Sequence, residues 1–264
     1  MTLGGIDQAA IIIAENRLKR TRLEPLDAAI RPTDLNGAYS VQERHNEILS
    51  ERGFGKLVGY KIGCTTGVMQ EYLQISEPVF GQVFDSMVFH GHAVLKLDDF
   101  VEPGVEAELA VSLAHDLPIT GAPYTRESVS EAVGAAMISI ELVDARYRDY
   151  QALDTPTMAA DNFFNAAVVL GQPLKAWQKF DLAGAEATVK LNGTELGRGS
   201  GSLIMGHPLR ALAWLANRLA ARDCYLKAGE FITLGSVMRT HWVSKGDCID
   251  HAISGLGSIS IKLD

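Results

Sequence analysis

Two stretches of the chain carry residues whose types and spacing could do chemistry. In VEPGVEAELA, Val101 to Ala110, continuing as VSLA to Ala114, alternation puts Val105, Ala107, Leu109, Val111 and Leu113 on one face of a strand and Glu106 and Glu108 on the other. Two carboxylates placed this way repel one another unless water, a cation or a base relieves the charge. The spacing alone leaves two readings open: a half-buried strand whose polar face meets solvent, or a pair of ligands for a hard divalent cation. The stretch ISIELVDARY, Ile138 to Tyr147, repeats the pattern, with Ile138, Ile140 and Leu142 on one face and Ser139, Glu141 and Val143 on the other. Glu141 is then a lone carboxylate in a second apolar strand, where an unpaired charge is expensive. Three carboxylates with no Cys or His at ligand spacing describe an oxygen-only site, which suits Mg²⁺ or Mn²⁺ rather than Zn²⁺.

The elements that must position these groups follow from the rest of the chain. Asp7 to about Arg20 reads as a helix, with Ile6, Ala9, Ala10, Ile13 and Leu18 on one side. A second helix starts from Thr33 or Asp34 as its cap and runs to about Arg52, where Gly53 and Gly55 end it. From Lys56 the texture changes to short strands punctuated by glycine, so residues 1–55 are expected to form a helical arm and 56–264 a β-rich body that carries the metal site. In KLVGYKIGCTTG, Lys61 sits in an apolar strand and either snorkels to the surface or faces an anion. Thr65 or Thr66 then caps a short helix to about Ile75, whose first backbone N–H groups could receive a carboxylate.

Strands are expected from Gly81 to His90 and from Ala93 to Leu97, leading into the Glu106 strand, and a helix from Thr125 to about Ala136. His90 and His92, in an HGHA turn, read as exposed loop histidines rather than ligands. Asp161 and Asn162 precede an apolar strand, either as a turn pair or as a carboxylate and amide presented to a ligand. Asn192-Gly193 marks a tight hairpin. The glycines around residues 197–206 match neither a dinucleotide fingerprint nor a P-loop, and a helix follows with Pro208 in its first turn and Leu212, Leu215, Ala216 and Leu219 buried. Order and spacing suggest an α+β fold with a mixed or antiparallel sheet.

Composition excludes some classes. The chain has 264 residues, 47% hydrophobic and 21% charged, with a net charge of −8, which argues against a nucleic-acid partner. Cys64, Cys224 and Cys248 form no CxxC pair and are odd in number, so a reducing cytoplasm is expected. No apolar run approaches a membrane span, and the N-terminal residues lack the features of a signal peptide.

YKIG with its Thr pair, SEPVFG, VEAELA, IELVDAR, ADN and GHPLRALAWLAN occur in an order that resembles the 2-keto-4-pentenoate hydratases and 4-oxalocrotonate decarboxylases of the fumarylacetoacetate hydrolase superfamily. The resemblance covers nearly the whole chain. It implies a mixed β-roll or sandwich of the fumarylacetoacetate hydrolase C-terminal type bearing a Mg²⁺ or Mn²⁺ site, with an N-terminal helical arm, assembled as a homo-oligomer. By the same resemblance Glu106, Glu108 and Glu141 are the metal ligands, and Lys61 lies beside the substrate carboxylate. Asp161 falls on a block near the pocket, where it joins Lys61 as an expected catalytic group, while His207 and Pro208 fall on a structural block. Thr65, Val79 and Phe163 are expected at the substrate. Val79 stands where many such hydratases carry an aspartate and the decarboxylases more often an apolar residue, and Phe163 and Phe164 stand where small residues are usual.

The implied activity is hydration of a 2-hydroxy-2,4-dienoate to a 4-hydroxy-2-oxo acid in aromatic catabolism. The alternatives are decarboxylation of a 2-oxo-3-enedioate or C–C hydrolysis by the same superfamily, and a non-catalytic partner subunit.

Overall fold

The computed structural model describes all 264 residues. The first helix, α1 (Leu3–Lys19), begins earlier than the periodicity suggests, because Thr2 caps it by accepting the Gly5 N–H at 3.1 Å. Asp34 caps α2 (Leu35–Leu49) by accepting from Gly37, and a single wide turn continues to Phe54. The remaining helices are short except the last: α3 (Gly67–Leu73), α4 (Arg126–Ser130), α5 (Thr155–Ala160) and α6 (Pro208–Ala220). The strands are β1 (Leu57–Gly63), β2 (Val79–Phe84), β3 (Val88–His90), β4 (His92–Leu95), β5 (Pro103–Leu113), β6 (Val133–Asp144) and β7 (Asn165–Leu170). They continue as β8 (Glu186–Leu191), β9 (Thr194–Ser200), β10 (Phe231–Ser236), β11 (His241–Trp242), β12 (Cys248–Ile253) and β13 (Gly257–Leu263).

The fold is α+β with two mixed sheets. The larger runs β2-β1-β10-β5-β6-β7-β3, with β11 also on β5, and the smaller runs β4-β13-β12-β8-β9. β2 and β3 lie at opposite edges of the larger sheet, yet only Asp85–Met87 separates them in the chain. A connection that short forces the edges together, so the sheet is rolled.

Period-two alternation then sorts side chains to the inside or the outside of the roll. Val105, Ala107, Leu109, Ile138, Ile140 and Leu142 share one large apolar core with Ile249, Ile259 and Ile261 of the smaller sheet. Val83, Ala110, Met137, Val168, Leu170 and Phe231 form a separate apolar cluster. The residues of that second cluster alternate with the first along the strands and fill the inside of the roll. Glu106, Glu108 and Glu141 have the same parity on β5 and β6 as Ala110 and Met137, so they point inward as well.

The helical arm is packed onto this body. Ala9, Ala10, Ile13, Ala38, Tyr39 and Val41 belong to the large core, and buried Gln42 of α2 donates to the carbonyls of Phe80 on β2 and Ala159 on α5.

Two expectations fail. The helix expected from Thr125 to Ala136 ends at Ser130, and Val133 already opens β6, whose pairing with β5 extends from Asp144 back to Val133. A continuous ladder to a long buried partner outweighs the helix propensity of an alanine-rich run. The strand expected from Gly81 to His90 is broken at Asp85 into two strands at opposite sheet edges. The hairpin at Asn192-Gly193 forms as expected, with φ of 50° and 82°.

Candidate metal centre

Glu106 and Glu141 are cross-strand partners in the β5–β6 ladder, and Glu108 lies two residues along from Glu106. One oxygen of each carboxylate lies within 4.8 Å of the others, and all three side chains are buried. Lys61 comes from β1, three strands from β6 across the sheet. Flat, those strands would be separated by about 14 Å. The curl of the roll brings the Lys61 ammonium to 3.0 Å from Glu141 Oε1, where it is 1% exposed. Of the two readings open for Lys61, the structure selects the buried cation facing anions.

The protein holds one oxygen of each carboxylate. Thr240 donates its hydroxyl to Glu106 Oε1. Gly235 donates its backbone N–H to Glu108 Oε2 at 3.0 Å. Asn165 Nδ2 donates to Glu141 Oε1 at 2.9 Å. Glu108 Oε1 and Glu141 Oε2 are buried with no partner at all. Buried polar atoms normally find a partner, so two orphaned carboxylate oxygens in an all-oxygen cluster fit a hard divalent cation.

The Gly235 bond has a local cause. The β10–β5 register shifts between Thr233 and Ser236, and Gly235 adopts φ of 106°, open only to glycine at low cost. That bulge swings its N–H out of the ladder and onto Glu108.

Burial and mutual repulsion shift the charges of the cluster. Burial, reinforced by Glu141 and opposed by Lys61, pushes the Glu106 carboxyl up to about 7. Burial and the other two glutamates push Glu108 well above the carboxylate range. Burial alone would lower the Lys61 ammonium, but Glu141, Glu106 and Glu108 outweigh it and hold it above its ordinary value.

A turn completes the site. Asn162, Phe163 and Phe164 take φ of 52°, 47° and 63°, three successive non-glycine residues in the left-handed region. Each costs about 1–2 kcal/mol. The turn sets the Phe163 ring 4.5 Å from the Lys61 ammonium and clips Asn162 to both backbone groups of Gln82 at 2.7 Å. Room is made by glycines: a Cβ on Gly63 would stand 2.1 Å from the Phe163 ring, and one on Gly81 2.5 Å from the Asn162 carbonyl oxygen.

The other expected residues are placed as follows. Thr65 is buried and donates to the Leu234 carbonyl at 3.0 Å, packed against Gly235, while Thr66 is the cap of α3. Val79 is fully buried on β2 opposite Gly63. Asp161 is not brought to the acidic cluster. Its carboxylate pairs with the Arg146 guanidinium, both fully buried, and the charges of Arg17 and Asp144 also act on it. His90 and His92 are exposed beside Gly91 as expected, though they end β3 and open β4 rather than lying in a loop. Two cavities of about 410 Å³ contain none of Glu106, Glu108, Glu141 and Lys61.

Residues 64–263 match the family described as fumarylacetoacetate (FAA) hydrolase C-terminal. The chain belongs to the fumarylacetoacetate hydrolase family. Among its relatives in that family is a 2-keto-4-pentenoate hydratase of Paraburkholderia phymatum, 34% identical over 96% of this chain and 95% of that one. A 2-hydroxyhexa-2,4-dienoate hydratase of Comamonas testosteroni is 37% identical over 91% and 90%. Among solved structures, the 4-oxalocrotonate decarboxylase of Pseudomonas putida G7, complexed with magnesium and adipate, superimposes with a TM-score of 0.93 at 26% identity, covering 100% of this chain and 99% of that one.

Sequence reasoning missed Thr240, Gly235 and Asn165, which hold the carboxylates of this fumarylacetoacetate hydrolase family member. A glycine inside the strand FITLGS, Phe231–Ser236, is the only sequence trace of the Gly235 contact, because a strand-interior glycine marks a bulge. Asn165 carries no signal because it acts through a ladder register that period-two reading cannot supply, and Thr240 lies in the loop just before β11, where no periodicity applies.

Proposed function

We propose that this chain is a divalent-metal-dependent hydratase that adds water to a 2-hydroxy-2,4-dienoate of the 2-keto-4-pentenoate type. The product is a 4-hydroxy-2-oxo acid, and the setting is aromatic catabolism. The observation that carries the reading is the trio of buried carboxylates, each anchored through one oxygen, with a buried ammonium among them. The relatives named as hydratases point the same way. Glu106, Glu108 and Glu141 would hold Mg²⁺ or Mn²⁺, which when bound supplies Lewis-acid stabilisation of charge on the substrate's 2-oxygen.

The chain's own residues do the rest. Lys61 exchanges its contact with Glu141 for the substrate's 1-carboxylate, offsetting that charge where water is excluded. Phe163 supports the ammonium from beneath, and Val79 and Thr65 bound the pocket on the β2 and β10 sides. The net change is addition of one water: a proton to the distal carbon of the dienol, hydroxide to C4, a proton to C3, and loss of the enol proton. In this reading residues 1–55 are an arm and 56–264 the metal-binding body. We further place the protein in the cytoplasm as a homo-oligomer, since its three cysteines are unpaired and Leu3, Ile11 and Ile12 leave apolar surface on α1.

Decarboxylation of a 2-oxo-3-enedioate is the second reading, favoured by the apolar Val79 and by the resemblance to the Pseudomonas putida decarboxylase structure. Ultraviolet loss of a 2-hydroxy-2,4-dienoate, run beside CO₂ release from a 2-oxo-3-enedioate with and without EDTA, separates the two. EDTA-sensitive dienol loss without CO₂ is expected. CO₂ release alone moves the assignment to the decarboxylase, and turnover of neither substrate removes both.

A further inference from the structure

We propose that Asn165 is a positioning residue of the site, holding Glu141 so that its free oxygen faces the ion and Lys61 is released to the substrate. The inference deepens the metal-dependent reading above and rests on it.

Asn165 reaches Glu141 only because the sheet is irregular there. Val168 pairs with Glu141 and Ala167 with Leu142, but the register then slips, and Val143 pairs with Asn165 rather than Ala166. Without the slip Asn165 would share the face of Ala167 and point away from the cluster. The bulge turns it inward, next to the carboxylate it serves.

Two donors converge on one oxygen. Glu141 Oε1 receives Asn165 Nδ2 at 2.9 Å and the Lys61 ammonium at 3.0 Å, while Oε2 receives nothing. A carboxylate held by an amide at Oε1 keeps its orientation when the ammonium leaves. Asn165 is itself fixed from behind, since its carbonyl accepts from buried Arg17 at 2.6 Å. Its approach is set by the left-handed turn of Asn162, Phe163 and Phe164, which Gly63 and Gly81 accommodate. The same turn that seats Phe163 against Lys61 therefore delivers Asn165 to Glu141, so the two partners of the ion pair are positioned by one segment.

The test is Mn²⁺ titration calorimetry on the wild-type, Asn165→Leu and Glu106→Gln proteins, with KM and kcat for the dienoate at saturating Mn²⁺. Leu keeps the volume and removes the donor. Asn165→Leu is expected to weaken Mn²⁺ binding roughly tenfold or more. It is also expected to raise KM, because Lys61 becomes the sole donor to Glu141 and stays there, with kcat within about threefold of wild type. A purely structural role would lower the melting temperature and leave the Mn²⁺ affinity and the KM-to-kcat split unmoved, which overturns the proposal. If Asn165→Leu does not fold, Asn165→Ala must show the same affinity loss, and wild-type affinity in that variant overturns it equally. Equal Mn²⁺ binding by wild type and Glu106→Gln would instead overturn the metal reading itself.

Discussion

Glu106 and Glu141 face one another directly across the β5–β6 ladder, both buried inside the roll. Like charges opposite each other in a sheet are destabilising, and here solvent cannot screen them. The fold keeps the pair because Lys61 offsets part of the charge and because each carboxylate has an oxygen tied down.

The first consequence is a pH dependence. Burial, reinforced by Glu141, raises Glu106 from 4.5 to about 7, so the metal-free fold is favoured when Glu106 is protonated. That stability is fully present below about pH 4.5 and is lost as pH rises through 7. Metal-free Glu106→Gln should therefore melt above metal-free wild type at pH 8 and close to it near pH 4.5. Calorimetric profiles that run parallel across that window would contradict the assignment.

Lys61→Met removes the buried ammonium while keeping most of the apolar stem. The expected loss is roughly 100-fold in kcat/KM, of the size found when a preorganised charge-stabilising group is deleted. Mn²⁺ binding should persist, since a cation has been taken from the cluster rather than a ligand. Steady-state kinetics beside calorimetry decides it, and a loss of Mn²⁺ binding would mean that Lys61 chiefly holds the carboxylates in place.

Thr240→Val keeps the shape and deletes the hydroxyl that donates to Glu106 Oε1. Mn²⁺ affinity should fall roughly tenfold, with Thr240→Ser near wild type. If valine binds as tightly as serine, Glu106 is oriented by packing alone.

A Cβ on Gly63 would stand 2.1 Å from the Phe163 ring, whereas Gly67 has open space around it. Gly63→Ala should cost about 1–3 kcal/mol and raise KM by displacing the ring from Lys61. Gly67→Ala serves as the neutral comparison in the same thermal melts. Equal melting temperatures for the two would show that Phe163 is free to move.

Asp161→Asn breaks a fully buried ion pair with Arg146 and is expected to destabilise by about 3–5 kcal/mol. Per folded molecule, Mn²⁺ affinity and kcat should be unchanged. A fall in kcat at constant melting temperature would return Asp161 to the reacting atoms.

The sequence by itself determined which side chains share a face. Alternation over Val101 to Ala114 and Ile138 to Tyr147 places Glu106, Glu108 and Glu141 opposite their apolar neighbours, because a strand repeats every two residues whatever it packs against. It also located both long N-terminal helices, the Asn192-Gly193 hairpin and the Pro208 helix, whose signals are local. Only the tertiary structure decided that the acidic face lies inside a roll rather than in solvent, since curvature depends on where β2 and β3 end up in the whole sheet. It alone brought Lys61 to Glu141, 80 residues away. It also supplied the Asn165 and Gly235 contacts, which rest on one-residue slips in register that a sequence pattern cannot display. Likewise Asp161, a plausible acid in one dimension, proves to be committed to Arg146, because burial makes a charge seek the nearest opposite charge.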